Sequence, residues 1–243
     1  MLRKIHKILL GNFGTKNEFN RNEWLEKTLL NIPKGQSILD AGAGELKYKN
    51  FCSHLKYVSQ DFAQYDGGGN NEGLQVGDWD PNKVDIISDI TDIPVEEESF
   101  DAIMCVEVLE HLPEPIKAIE EFSRVLKQGG RLILTTPFSS LTHFAPYYFS
   151  NGFSKYWYEA ILPKYGFEII ELTYNGNYFS YIAQEMRRLR GVVKSYSRFT
   201  PLTSFFLNIF SFGMLRLLTS FDKKDKNSNE LLCHGINVVA LKK

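Results

Sequence analysis

The order of elements along the chain predicts an α/β fold built on a doubly wound, mostly parallel sheet. Three observations carry that prediction. Short apolar runs alternate with helix-period segments over the first two thirds of the chain, the pattern of crossover-linked parallel strands. Successive predicted strands end on acids, at Asp40, Asp61, Asp89 and Glu107. A glycine-rich turn, Asp40-Ala41-Gly42-Ala43-Gly44, follows the first strand directly. Open α/β sheets bind ligands outside the carboxyl ends of their strands, so turn and acids should share one crevice rich in hydrogen-bond acceptors.

The elements follow in order. Phe19, Trp24, Leu25, Leu29 and Leu30 keep roughly helical spacing over Asn17 to Asn31, and Pro33-Lys34-Gly35 ends that helix. Strands are predicted at Ser37–Asp40, Tyr57–Gln60, Val84–Ser88 and Phe100–Val106. Gly67-Gly68-Gly69-Asn70-Asn71 between them is a flexible loop by composition. Ile116, Ile119, Phe122, Val125 and Leu126 mark one face of a helix that Gly129-Gly130 should terminate. Arg131–Thr136 is a fifth strand stopped by Pro137, and a helix–strand pair follows near Tyr156 to Tyr174. Asn177 to Ser228 reads as helical, and Leu231–Leu241 as a closing strand. This divides the chain into a sheet domain, residues 1–176 with 229–243, and a helical insertion or cap, residues 177–228, ahead of the last strand.

With 243 residues, 43% hydrophobic and 23% charged, the chain suits one soluble domain with an insertion. Its net charge of −1 lacks the basic excess of nucleic-acid binders, so no nucleic-acid partner is expected. Cys52, Cys105 and Cys233 are scattered and form no CxxC pair, which speaks against disulfides or a zinc site and for a reducing, cytoplasmic setting. The apolar part of the first ten residues is too short for a signal peptide.

A dinucleotide site would need GxGxxG, and Lys47 stands at the third glycine position. Ile38-Leu39-Asp40-Ala41-Gly42-Ala43-Gly44 instead resembles the first motif of class I S-adenosylmethionine (SAM)-dependent methyltransferases. Asp89-Ile90-Thr91-Asp92-Ile93-Pro94, Ser99-Phe100-Asp101 and Glu107-Val108-Leu109-Glu110-His111-Leu112 resemble that family's middle region. Leu126-Lys127-Gln128-Gly129-Gly130-Arg131-Leu132 is similar to its late-sheet motif. The blocks run in the family's order from Ser37 to Pro137. One departure is Leu46, where many members carry a further glycine.

The resemblance implies a Rossmann-like methyltransferase with SAM as cofactor. Asp40, Gly42 and Gly44 would back its amino-acid portion, Asp61 would accept from both ribose hydroxyls, Asp89 and Ile90 would frame the adenine, and Val106 and Glu107 would pass beside the methionine part. Asp92 and Asp101 read as turn and cap residues. His111, beside Glu110, is either a proton acceptor or structural. His143, just beyond the fifth strand, is the stronger candidate for a base; alternatively it only positions substrate or packs on Tyr147. Residues 138–158 are dense in aromatics, and Tyr147, Tyr148 and Trp157 form either a lid or a platform for the acceptor.

Similarity from Gly67 through Trp157 to bacterial methyltransferases of surface-polysaccharide pathways implies O-methylation of a sugar, sugar nucleotide or glycan intermediate. N- or C-methylation of another small molecule, and a SAM-binding partner protein without transfer activity, are the competing readings. No metal is expected, since no compact His/Asp/Glu set appears along the chain. The apolar stretch Pro201 to Phe221 contains Asn208, Gly213 and Arg216. It reads as a cap, a homodimer contact or a peripheral membrane-surface helix, with no transmembrane span.

Overall fold

The computed structural model describes residues 12–75, 77, 80 and 83–243; the N-terminal segment read above for a signal peptide lies outside them. Its strands are β1 (Ser37–Ala41), β2 (Lys56–Asp61), β3 (Ile86–Ile87), β4 (Phe100–Val106), β5 (Leu126–Pro137), β6 (Phe167–Asn175) and β7 (Gly235–Lys242). They form one sheet in the order β3-β2-β1-β4-β5-β7-β6. From β3 across to β5 each neighbouring pair is parallel, and β7 runs antiparallel to β5. The strand order reverses between β1 and β4, the switch point at which a ligand crevice opens in such sheets.

The central strands are buried because they are apolar on both faces, as parallel strands covered by helices must be. Ile38, Leu39, Ile103, Met104, Leu132, Ile133 and Leu134 are fully buried. Helix α1 (Asn17–Leu30) contributes Leu25 and Leu29 to the cluster around Ile38, Met104 and Ile133. Helix α2 (Pro115–Val125) starts with Pro115 in its first turn, where a missing N–H costs nothing, and buries Ile119, Phe122 and Val125. Helix α3 (Lys155–Ile161) buries Tyr158, whose hydroxyl meets Thr136 on β5 at 2.5 Å.

Four sequence expectations are corrected. β3 is two residues long, against the predicted Val84–Ser88. Side chains replace its missing ladder bonds: Asp85 accepts from the backbone N–H and hydroxyl of Ser59 (2.9 and 2.7 Å), and the Gln60 amide donates to the Ser88 carbonyl (2.7 Å). Gly129-Gly130 does not end α2, because β5 starts at Leu126. Its register against β4 jumps from Phe100↔Leu126 to Ala102↔Arg131, and Gly129 takes φ +71° in that excursion. Asp101 is no cap. Its Oδ2 accepts from the Ser37 N–H and hydroxyl and its Oδ1 from Lys127 Nζ, all within 2.7–2.8 Å, which staples β1 to the excursion. β7 begins at Gly235, not Leu231, since a helical turn over Ser228–Glu230 comes first.

The chain divides into two compact units. The sheet unit is Glu23–Thr173 with Gly235–Lys243; the other joins the segment ending at Asn22 to Tyr174–His234. The second unit contains α4 (Tyr178–Tyr196) and α5 (Pro201–Asp222), each begun by a capping box, Asn177 with Ser180 and Thr200 with Thr203. Ala183, Leu215 and Leu218 form its small core with Phe13, Phe179, Ile182 and Met186. Leu202, Phe205, Phe206, Ile209, Phe210, Leu217 and Phe221 of α5 are exposed. α5 is long and apolar enough to cross a membrane by length and composition.

Candidate active site

The site begins at the end of β1. Gly42 has φ +78°, and a Cβ there would lie 2.5 Å from the Val108 side chain. Glycine therefore lets the turn lie against the segment that leaves β4. The Gly42 and Ala43 N–H groups donate to the Gln60 carbonyl at 2.9 Å. Asp61, ending β2, accepts from Gly44 N–H through Oδ2 and from Ala63 N–H through Oδ1, both at 2.9 Å. A carboxylate offers about four acceptor positions, so about two remain for a diol. Leu46 takes φ +60°; the turn keeps the left-handed backbone that the missing glycine would have favoured.

Asp89 lies just past β3, where its Oδ1 holds the N–H and hydroxyl of Thr91 at 2.8 Å, and the adjoining Ile90 is buried. Val106 is the last residue of β4. Glu107 follows it in the left-handed region, φ +56°, held by its N–H to the Thr135 carbonyl (2.9 Å) and its Oε1 to the Thr135 hydroxyl (3.0 Å). Non-glycine residues in that region cost energy and cluster at functional sites.

Asp40 departs from its expected place in the crevice. Its side chain is enclosed within the sheet, 1% exposed, and accepts from the Tyr57 hydroxyl at 2.7 Å. Burial raises its pKa to about 7, the Tyr57 bond opposing and the Asp61 charge adding to the rise. Asp40 supports the strand ends that carry the turn instead of facing a ligand.

Three side chains converge beyond β4. Glu110 is fully buried, and His111 Nε2 and His143 Nε2 stand 3.7 and 4.0 Å from its Oε1. The imidazole rings meet edge-on with centroids 4.7 Å apart. Each ring is fixed at its other nitrogen by a backbone carbonyl, His111 Nδ1 at 2.6 Å from Tyr147 O and His143 Nδ1 at 2.9 Å from Leu141 O. A carbonyl can only accept, so in each neutral ring Nδ1 carries the proton and Nε2 presents a lone pair. Burial, then the neighbouring His143, lowers the His111 pKa to about 4, so His111 is neutral at physiological pH. A compact ligand-type set, Glu110, His111 and His143 with donor atoms within 4.8 Å of one another, therefore exists, contrary to the sequence expectation. The Glu110-His111 pair was visible along the chain. Its third member was not, because His143 arrives from a separate loop.

The loop that delivers His143 is built by glycines. Leu74 and His143 form a parallel bridge, Leu74 N–H donates to Thr142 O and Phe144 N–H to Leu74 O, both at 3.0 Å. A Cβ on Gly69 would lie 2.0 Å from the Ala145 carbonyl oxygen, and one on Gly73 2.5 Å from that of Thr142. The glycine-rich segment expected to be flexible is thus a clamp whose glycines permit close backbone approach. Phe144, with φ +55°, stacks its ring against those of both His111 and Tyr65. Phe149 and Ser150 N–H donate to the Glu110 carbonyl, tying the aromatic loop to the same motif.

Tyr148 lies with its ring centroid 5.2 Å from that of His143, its hydroxyl donating to Ser140 O, and Tyr147 packs edge-on against Phe62. Trp157 is placed elsewhere, half-buried between Phe153 and Tyr158; it packs on the core beneath the loop. Phe144 belongs to the aromatic run expected from the sequence, whereas Phe62 and Tyr65 were not singled out, since isolated aromatics in loops carry no periodic signal.

Residues 67–134 match the family described as a methyltransferase domain. The match takes in the third-strand region, β4, α2 and most of β5, while the glycine turn lies ahead of it. A ubiquinone biosynthesis O-methyltransferase of Xanthomonas oryzae pv. oryzae is 43% identical over 51 residues, 21% of this chain and 21% of that protein. A demethylmenaquinone methyltransferase of Clavibacter sepedonicus is 33% identical over 102 residues, 41% and 40% of the two chains. These matches span less than half the length of the curated relatives. Among solved structures, a SAM complex of Haemonchus contortus phosphoethanolamine N-methyltransferase 2 superposes with TM-score 0.51 at 19% identity, over 98% of this chain and 56% of that one. The [4+2]-cyclase SpnF does so with TM-score 0.51 at 16% identity, over 90% and 80%. The chain therefore shares the fold of these two structures, and the cyclase shows that this fold alone does not set the reaction.

Proposed function

We propose that this protein transfers the methyl group of SAM to a hydroxyl of a small, ring-bearing acceptor. The observation that carries the reading is the sequel of two features along one strand end: the Gly42–Gly44 turn clasped by Asp61 at the switch point, and the Glu110-His111-His143 triangle just past β4. The first suits the cofactor and the second suits a hydroxyl that must shed a proton. SAM, when bound, supplies the activated methyl on its sulfonium.

The residues have separable tasks. The Gly44 turn backs the amino-acid end of the cofactor, and Asp61 accepts from its ribose hydroxyls. Asp89 and Ile90 frame its base, and Val106 and Glu107 flank its methionine part. His143 presents Nε2 from a ring whose Nδ1 lies against Leu141 O. It orients the acceptor hydroxyl and takes its proton, with His111 behind it. Tyr147, Tyr148 and Phe144 form the apolar platform with polar tips.

A sugar-linked acceptor fits the polar-tipped aromatic wall and the resemblance from Gly67 to Trp157. A phenolic acceptor is the second reading, favoured by relatives named for ubiquinone and menaquinone pathways. Both are small molecules, neither is a nucleic acid, and we read the reaction as cytoplasmic. Incubation with SAM and paired panels of sugar nucleotides and dihydroxylated phenols, read by mass spectrometry, separates them. A gain of one methyl mass on one panel selects that acceptor class; no methylated product on either counts against the reading.

A further inference from the structure

Helix α5 (Pro201–Asp222) presents its apolar side to solvent. A helix that merely covers a core turns its apolar stripe inward and its polar residues to water. In α5, Leu202, Phe205, Phe206, Ile209, Phe210 and Leu217 are exposed. They recur at spacings of three, four and seven residues and so share one broad face. The opposite face, spaced alike, is Ser204, Ser211, Leu215 and Leu218, of which only the two leucines are fully covered. Of the most apolar 18 residues of the helix, 11% are buried, so α5 is not the core helix of its unit.

The surroundings of that face carry one sign of charge. Residues 177–228 hold nine Lys and Arg against three acids, in a chain whose net charge is −1. The acids are engaged locally: Glu185 pairs with Arg188, Asp222 accepts from the Asn177 amide, and Asp225 accepts from the Ser228 N–H. Arg190, Lys194, Arg198, Arg216, Lys223 and Lys224 are exposed. Arg190 reaches the middle of α5, donating to the Asn208 side chain at 3.4 Å. The Arg216 guanidinium lies 5.3 Å from the centre of the Phe212 ring, and Lys223 and Lys224 follow the last turn. Cations therefore meet the apolar face at its middle and at its C-terminal end.

We propose that α5 and the cations beside it dock this protein on an anionic phospholipid membrane. α5 lies flat at the headgroup level, with Phe205, Phe206, Ile209 and Phe210 entering the acyl boundary. An apolar helix face flanked by Lys and Arg is the pattern of interfacial helices, and anionic headgroups attract each nearby cation. Arg216 fits a flat helix, because its stem runs along the apolar face while the guanidinium reaches the phosphates. A second copy of the chain is the other natural cover. A two-fold contact sets the same patch against itself, so it would gather the cations of both copies around one interface whose acids are already engaged. A membrane of negative surface charge answers both the apolar face and its rim. This docking does not depend on methyl transfer.

The test is co-sedimentation of the whole chain with vesicles of phosphatidylcholine alone and of phosphatidylcholine mixed with phosphatidylglycerol. Wild type should bind the mixed vesicles at least about tenfold more tightly than the neutral ones, and added salt should weaken that preference. Phe206→Ser/Phe210→Ser should lose about tenfold or more of the binding to mixed vesicles. Lys223→Glu/Lys224→Glu should reduce the preference for mixed over neutral vesicles. Ile170→Ser, at an exposed apolar position of the sheet unit, should bind as wild type does. All these positions are exposed, and circular dichroism identifies any variant that fails to fold. No binding of folded wild type to the mixed vesicles, equal binding to both kinds, or undiminished binding of the folded Phe206→Ser/Phe210→Ser variant overturns the proposal. So does a dimer in analytical ultracentrifugation that this variant dissolves while wild type ignores the vesicles, which would give the face to a second copy. Vesicle-bound protein that resists alkaline wash would likewise replace flat docking by a span.

Discussion

The two units of this chain use apolar and polar residues in opposite ways. In the sheet unit, the residues that stand out by type are tied down by named partners: Asp61 by Gly44 and Ala63, Asp101 by Ser37 and Lys127, His111 and His143 by backbone carbonyls. In the helical unit, the residues that stand out are apolar, and α5 leaves most of them exposed while Leu215 and Leu218 alone are buried. A polar residue buried without a partner is costly, so function in the sheet unit can be read from who bonds to whom. An exposed apolar face of this size marks a contact, and its meaning lies outside the chain. The proposed chemistry lies in the first unit, and the exposed apolar face lies in the second.

The strongest way to break this contrast is to remove the chemistry without disturbing the fold. His143→Ala should lower turnover with the true acceptor by about 10²–10⁴-fold, the usual contribution of a group that handles the acceptor proton. Its SAM affinity should stay nearly unchanged. Full turnover in His143→Ala with loss in His111→Ala would reverse the two roles.

Packing gives the next effect. Leu215→Ala, at a position 2% exposed in the helical core, should cost about 2–5 kcal/mol in denaturant unfolding. Phe206→Ser, at 61% exposure, should fall within about 0.5 kcal/mol of wild type. If Phe206→Ser destabilises as much as Leu215→Ala, the exposed face is structural. We also expect α5 not to span a bilayer, because it contains Arg216, and an arginine costs roughly 2.5–3.5 kcal/mol at a bilayer centre on insertion scales. Alkaline wash should release any membrane-bound protein; extraction by detergent alone would show a span.

The glycine clamp offers a subtler test within the sheet unit. Gly69→Ala meets the Ala145 carbonyl and must also hold φ +51°, so it should destabilise by about 1–3 kcal/mol. It should lower turnover through a displaced His143 loop. Gly129→Ala is the control: φ +71° is strained there too, but nothing lies within 4 Å of the added Cβ. Equal turnover in the two variants would mean that the clamp does not position His143.

The smallest effect is a pH slope. Asp40 has its folded pKa raised to about 7 by burial, against an unfolded value near 4. Its contribution is therefore fully present below about pH 4 and is lost as pH rises through 7. Asp40→Asn should flatten that part of the stability profile. An unchanged slope between pH 4 and 8 would assign the dependence to another group.

Much of the sheet was legible because strand runs and strand-end residues are local signals. β4 was read with its observed limits, Phe100–Val106, and the turn at Gly42–Gly44 declared itself by position. β3 was overread because Val84-Asp85-Ile86-Ile87-Ser88 has strand composition, whereas side-chain bonds from Ser59 and Gln60 hold most of it. Asp40 looked like its fellow strand-end acids and differs only in which way it faces, a matter of Tyr57 on the adjacent strand. The Glu110-His111-His143 set was illegible because it depends on the Leu74–His143 bridge. That pairing joins two loops and leaves no periodicity in either.

Calorimetric titration of the full chain with SAM and S-adenosylhomocysteine measures directly whether the crevice at Gly44 and Asp61 binds the cofactor. Folded wild type should bind both, and Asp61→Ala should weaken binding by about 1.5–3 kcal/mol, the scale of hydrogen bonds to a charged group. No binding to well-folded wild type, or equal affinity in folded Asp61→Ala, would contradict cofactor binding there.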